Sequence, residues 1–127
     1  MPTISNTSPL LNLAIIGELK WVRRQFGQVL VPPSVVEEFR LEEGRPGSPA
    51  LKEAIEEGWI LTESPSNRPL IRTLRQDLDR GESEAIALAT EKNAGRILLD
   101  EREGRRRARN IGLNGTGALG IPARWAF

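Results

Sequence analysis

Three side chains with distinctive chemistry are missing from the 127 residues: histidine, cysteine and tyrosine. Without histidine, the chain has no imidazole for acid–base catalysis, no His-ligated zinc and no Ser-His-Asp arrangement. Without cysteine, it has neither a disulfide framework nor a thiolate metal site. Any catalysis must therefore use carboxylates, lysine, arginine, hydroxyls or a metal ion held by oxygen atoms.

Long apolar runs are also missing, and no segment has the length of a membrane span. The first residues do not combine a basic region with an apolar run, so we expect no signal peptide and a cytoplasmic location. The length suits a single domain over residues 1–127. Net charge is only +1, but five arginines form a local cluster that is either a phosphate-binding patch or a solvated helix face. They are Arg102, Arg105, Arg106, Arg107 and Arg109.

The segment 79–100 organises the rest of the chain. Asp79 and Glu82 have the spacing of a helix-capping box, and residues 85–89 are apolar on nearly every helical face, which predicts a covered helix. Residues 97–99 form an apolar run typical of a buried parallel strand. Asp100 follows that run, at the end of a strand where open α/β sheets bind their ligands.

Strands and helices alternate along the remaining sequence. Ser8 and Pro9 are predicted as N-cap and first helical residue, and Ser34 and Glu37 as a second capping box. The pattern predicts an α/β fold with a small, mainly parallel central sheet and right-handed crossovers. Strands are predicted at residues 3–5, 28–31, 59–61, 97–99 and, weakly, 113–116, and helices at 9–16, 19–26, 34–39, 50–57, 70–78, 79–89 and 102–110.

Four polar residues follow one positional rule. Asn6 and Asp100 each follow a strand, whereas Glu38 and Glu84 each lie early in a helix that the topology brings to the same edge of the sheet. Gathered acids repel one another unless a cation or a shared proton relieves them. Mg²⁺ or Mn²⁺ suits such oxygen ligands and makes phosphodiester hydrolysis possible without histidine.

Four ordered segments resemble the PIN-domain family, and in particular a compact prokaryotic branch of VapC-like toxin ribonucleases. They are residues 5–10 (SNTSPL), 31–38 (VPPSVVEE), 81–89 (GESEAIALA) and 98–105 (LLDEREGR). Each segment alone is weakly specific, but the set spans nearly the whole chain in the family's order.

The resemblance implies a three-layer α/β/α fold and Mg²⁺- or Mn²⁺-dependent cleavage of single-stranded RNA. It also implies a cognate antitoxin as protein partner and, as we expect, a homodimer. The four catalytic positions fall on Asn6, Glu38, Glu84 and Asp100, of which Glu38, Glu84 and Asp100 are the expected metal ligands. Glu82 and Glu101 are candidates for supporting roles, and nucleic-acid contacts are expected at Arg102, Arg105 and Arg106.

Two departures from the family pattern leave a second function open. The family has Asp where this chain has Asn6, which offers a carbonyl oxygen without charge, and the C-terminal end is expected to be shortened relative to the family. A catalytically weakened PIN fold that binds RNA or protein is therefore the alternative. A flavodoxin-like or response-regulator-like domain ranks lower, because no acidic pair closes the first strand and no lysine follows the last.

Each candidate also has a purely structural interpretation. Glu82 fits a helix cap better than a ligand, Glu84 can simply favour the helix dipole, and Asn6 can bond to the backbone of a tight turn. Asp100 can form a turn, and Glu38 can be an ordinary surface residue.

Overall fold

A computed structural model describes residues 1–99 and the backbone of Trp125 and Ala126. Strands and helices alternate along this part of the chain, with one short 3₁₀ turn at Leu41–Glu43. The strands are β1 (Thr3–Ser5), β2 (Val29–Val31), β3 (Ile60–Thr62), β4 (Arg96–Leu98) and β5 (Trp125–Ala126). The helices are α1 (Thr7–Ile15), α2 (Leu19–Phe26), α3 (Pro33–Phe39), α4 (Ser48–Glu56), α5 (Arg68–Leu74) and α6 (Arg80–Glu91).

The strands form one sheet in the order β3-β2-β1-β4-β5, and every pairing within it is parallel. β1 lies at the centre, where Ile4 pairs with Leu30 of β2 and with Ile97 of β4. Parallel pairing requires crossover connections, and helices supply those among β1, β2, β3 and β4. β1 is therefore hydrogen-bonded to β2, which follows it closely in sequence, and to β4, which comes more than half the chain later.

Helices cover both faces of the sheet, which gives three layers. Val29 and Val31 of β2 and Leu98 of β4 face a core shared with α1, α2, α3 and α4. Ile4 and Ile97 face the opposite core, which contains apolar residues of α5 and α6. This alternation follows from the two-residue period of a strand. The predicted three-layer α/β/α fold with a small parallel sheet is confirmed.

The predicted buried helix is α6. Ala85, Ile86, Ala87, Leu88 and Ala89 are all buried, as the apolar run predicted. Asp79 is its N-cap, and the Asp79 carboxylate accepts a hydrogen bond of 2.8 Å from the backbone N–H of Glu82. The Asp-x-x-Glu spacing therefore identified the true start of this helix.

Two predicted helix starts are wrong. α1 begins at Thr7 with Asn6 as N-cap, so Ser8 lies inside the first turn; Pro9 fits there because first-turn N–H groups lack intrahelical acceptors. α3 begins at Pro33, whose ring presets a helical φ, and Ser34 makes no capping bond. The Ser34 hydroxyl is instead used in a contact with α6, described below.

Other boundaries move by a few residues. β3 lies one residue later than predicted, with Trp59 buried before it, and α5 ends at Leu74 although Leu78 joins the same core. β5 was not predicted, because two residues carry no periodic pattern. The predicted helix 102–110 and strand 113–116 lie outside the described residues. None of the described helices is long and apolar enough to cross a membrane.

Candidate active site

Asn6 lies at the carboxyl edge of the sheet, between β1 and α1. Its backbone N–H donates to the Leu98 carbonyl of β4 at 3.0 Å, so it continues the β1–β4 pairing by one residue. The residue is only 6 % exposed, and its extended backbone turns the chain into α1. A buried amide side chain is thus held where two neighbouring strands end.

Glu38 reaches the same place from α3. Its carboxylate accepts a 3.1 Å hydrogen bond from the hydroxyl of Thr7, the first residue of α1. Partial burial of this carboxyl raises the pKa of Glu38; the Thr7 hydrogen bond opposes that effect, and the negative charge of Asp79 adds to it. The carboxylate is therefore in a setting where a nearby positive charge would favour its ionised form.

Gly81, in the first turn of α6, is the point where these two side chains meet. A Cβ atom at this position would lie 2.2 Å from Glu38 Oε1 and 3.2 Å from Asn6 Oδ1. The first distance is far inside van der Waals contact, so a side chain here would displace the carboxylate. The absence of a side chain at Gly81 gives both oxygens their positions.

Glu84 lies one helical turn further along α6 and is only 15 % exposed at its side chain. The Ser34 hydroxyl donates to Glu84 Oε1 at 2.5 Å, and Arg80 Nε lies 3.4 Å from Glu84 Oε2. Ser34 is one turn before Glu38 on α3, so α3 and α6 run antiparallel where they touch. Glu84 is therefore offset from Glu38 by about 5 Å along the helices, the pitch of one turn.

A cavity of about 410 Å³ opens beside this contact between α3 and α6. Its wall contains both carboxylates, which attract a cation, and guanidinium groups, which attract a phosphate. The lining residues are Ser34, Glu37, Glu38, Arg40, Asp79, Arg80 and Gly81. Arg80 also pairs with Glu37 at 3.6 Å, which links the outer wall to Glu84.

The predicted site residues divide into three groups. Asn6 and Glu38 come together, and Glu84 lies one turn away along the same helix pair. Asp100 and the predicted nucleic-acid contacts Arg102, Arg105 and Arg106 lie outside the described residues. Within residues 1–99, no three acidic side chains come close enough to form a metal-binding group by themselves.

Sequence reasoning missed four supporting residues: Thr7, Ser34, Arg80 and Gly81. Thr7 and Ser34 each donate a hydroxyl to a predicted acid on another helix. Gly81 was noted only as part of a motif, although a glycine in the first turn of a helix is itself a signal of close approach. Ser34 carried a capping signal that pointed to the wrong partner.

A family model, DUF3368, described as a PIN domain, matches residues 2–125. The chain belongs to the PIN-domain family. PIN domains are generally nucleases, which supports a nuclease-type, hydrolytic function for this one. No curated protein matches the chain.

PIN nucleases generally use divalent metals, and the donor atoms of this PIN domain fit such an ion. The converging groups are an amide oxygen and a carboxylate, with a second carboxylate one turn away, and hard cations such as Mg²⁺ and Mn²⁺ prefer oxygen ligands. The raised pKa of Glu38 suits a bound positive charge, and the lack of a side chain at Gly81 lets Asn6 Oδ1 and Glu38 Oε1 approach the same point. Asn6, Glu38 and Glu84 are thus the described residues able to hold it.

Proposed function

We propose that this PIN domain is a Mg²⁺- or Mn²⁺-dependent endoribonuclease that cleaves single-stranded RNA. The observation that carries the proposal is the approach of Asn6 Oδ1 and the Glu38 carboxylate to the same point beside Gly81. That point lies at the carboxyl edge of a parallel sheet and next to an open cavity, where α/β proteins bind ligands. Membership in a family of nucleases supports the same conclusion.

The chain's own residues would orient the site. Thr7 holds the Glu38 carboxylate and Ser34 holds the Glu84 carboxylate, so both acids are positioned before substrate arrives. Asn6 adds a neutral oxygen from a buried position. When bound, the divalent ion supplies positive charge at the scissile phosphodiester, where negative charge develops during cleavage. Asp100 remains our predicted fourth site residue.

We further propose that the protein is the VapC-like toxin of a toxin–antitoxin pair, acting in the cytoplasm as a homodimer inhibited by a cognate antitoxin. The support is the resemblance of four ordered segments to that branch of the family. Induction of the chain alone should stop cell growth, and the Glu38→Gln variant should not. Sedimentation of the purified protein measures whether it is a dimer.

Cleavage of end-labelled single-stranded RNA tests the nuclease activity. Purified protein is expected to cut in Mg²⁺ or Mn²⁺ and to stop in EDTA, and Glu38→Gln and Glu84→Gln should each lose most of the activity. Glu53→Gln, which removes an exposed acid of α4, is the matched control and should cut normally. Metal-independent cutting, or full activity of both site variants, would show that the proposal is wrong.

One observation favours a second function. Asn6 places an uncharged amide where the family has an acid, so the site has less negative charge to attract a cation. A PIN fold that binds RNA or protein without cutting is the alternative. RNA cleavage that appears only in an Asn6→Asp variant would favour this binding function for the natural sequence.

A further inference from the structure

The backbone of Arg40, at the end of α3, is in an unusual conformation. Arg40 is the C-cap residue and has φ 50° and ψ 51°, in the left-handed region. Helices commonly end this way on glycine, because a side chain with a Cβ is strained there. An arginine at a position that favours glycine stores strain, and such outliers are often found at functional sites.

Arg40 also lines the cavity beside the candidate active site. Among the described lining residues, Arg40 and Arg80 are the two cations. Arg80 is held between Glu37 and Glu84 and so neutralises acids of the site itself. A phosphate entering the cavity can therefore recruit Arg40 without releasing Glu84.

Glu43, the ion-pair partner of Arg40, has a second cationic partner in Arg45. Arg40 Nη1 lies 3.7 Å from Glu43 Oε2 in an exposed ion pair. Glu43 is held more closely by Arg45, whose Nη2 and Nε atoms both lie 3.0 Å from Oε1. Exposed pairs contribute little to stability, and Glu43 keeps a cation when Arg40 leaves. The Arg40 guanidinium is thus available for another anion at small cost.

We propose that Arg40 is a substrate-binding residue that contacts a backbone phosphate of single-stranded RNA in this cavity. The inference rests on the RNA substrate of the proposed function and adds a residue outside the family motif. A planar guanidinium suits bidentate phosphate binding. A phosphate contact carries no base information, so Arg40 should contribute equally to all RNA sequences.

Two variants separate the charge from the backbone. Arg40→Gly removes both the cation and the strain, whereas Arg40→Gln removes the cation and keeps a side chain in the left-handed conformation. Arg24→Gln is the control, because it removes an exposed cation of α2 that neither lines the cavity nor pairs with Glu43. Binding is measured by fluorescence anisotropy of a labelled single-stranded RNA in EDTA, which prevents metal-dependent cutting.

Log K of association falls with log salt, and the slope becomes less steep by about 0.7 when one phosphate contact to a single strand is lost. At about 50 mM salt this corresponds to roughly eightfold weaker binding. Both Arg40 variants should show this loss, and Arg24→Gln should show none. The thermal midpoint of Arg40→Gly should equal or exceed that of the unchanged protein, and that of Arg40→Gln should not exceed it. For Arg40→Gly, a substrate role thus predicts weaker binding by an equally stable or more stable protein.

Three results would overturn the inference. Normal binding by both Arg40 variants would exclude the contact and leave the proposed function intact. An equal loss in Arg24→Gln would show that only general surface charge matters. Absence of RNA binding by the unchanged protein in EDTA would overturn this inference, whereas the cleavage assay in Mg²⁺ or Mn²⁺ decides the proposed function separately.

Discussion

Replacing Gly81 with alanine tests the geometry of the site most directly. The new Cβ would lie 2.2 Å from Glu38 Oε1 and 3.4 Å from Glu38 Cδ, so the carboxylate has to move by about one ångström. It is the end of a flexible side chain, and it can swing away if it gives up the Thr7 hydrogen bond. We therefore expect Gly81→Ala to fold normally but to lose the position of the Glu38 carboxylate in the site.

The expected change in stability is small because two effects oppose each other. Loss of the partly exposed Thr7–Glu38 hydrogen bond costs about 1 kcal/mol. Replacing glycine by alanine within a helix returns up to roughly 1 kcal/mol. The free energy of unfolding of Gly81→Ala should thus stay within about 1 kcal/mol of the unchanged protein, since the two terms nearly cancel.

Metal affinity should fall much more. Displacing a ligand from its supported position typically costs roughly 10- to 100-fold in metal affinity. Isothermal titration with Mn²⁺ measures this loss, and thermal unfolding of the same samples measures stability. RNA cleavage at saturating Mn²⁺ then shows whether the displaced carboxylate still supports catalysis.

A second substitution provides the control. Glu38→Asp shortens the side chain by one methylene and withdraws the carboxylate from the new methyl group. The double variant Gly81→Ala/Glu38→Asp should lose less Mn²⁺ affinity than the two single variants together predict, which a double-mutant cycle detects. Unchanged Mn²⁺ affinity in folded Gly81→Ala would refute the geometry, and a loss of more than about 3 kcal/mol in stability would refute the expected adaptation.

Three further substitutions test the neighbouring groups. Asn6→Asp should bind Mn²⁺ about tenfold more tightly in calorimetry, because a second negative charge joins Glu38; weaker binding would contradict the oxygen cluster. Ser34→Ala should lower the free energy of unfolding by about 1 kcal/mol in urea titrations at pH 7, because the partly buried Glu84 carboxylate loses a donor. Burial alone would raise the pKa of Glu91, but hydrogen bonds from Ser66 and Asn67 outweigh it and hold that pKa below its usual 4.5. The ionised carboxylate therefore stabilises the fold above pH 4.5 and ceases to do so as pH falls through the lowered pKa. Glu91→Gln should thus lower the free energy of unfolding at pH 7, by less than about 1 kcal/mol because the carboxylate is largely exposed, and this difference should shrink as pH falls through the lowered pKa; a difference that is the same in neutral and in acidic solution would contradict this.

The sequence predicted those parts of the fold whose signals are local and redundant. Residues 85–89 predicted α6 because a helix that is apolar on nearly every face has to be buried on most sides. Asp79 marked the start of this helix. Residues 97–99 predicted β4 within one residue. The edge argument also predicted that Asn6 and Glu38 would approach each other, although their catalytic roles remain predictions.

The signals that failed depend on partners distant in sequence. Ser34 has the spacing of a capping box, but the Glu84 carboxylate, fifty positions away, binds its hydroxyl instead. Gly81 matters because the side chains of Glu38 and Asn6 approach it closely. The sequence around Gly81 does not indicate which residues these are. β5 was missed because Trp125 and Ala126 form a strand only by pairing with β4. In each case a tertiary contact decided what local sequence could not.

The central place of β1 has a consequence for a chain made from its N-terminus. Its pairing with β4 cannot be completed until residue 98 has been synthesised, and Asn6 cannot meet Gly81 before residue 81 has been made. A nascent or prematurely ended polypeptide therefore lacks the assembled pocket, whatever ions or RNA surround it. If the proposed activity is correct, a nascent chain too short to contain β4 cannot act as a nuclease.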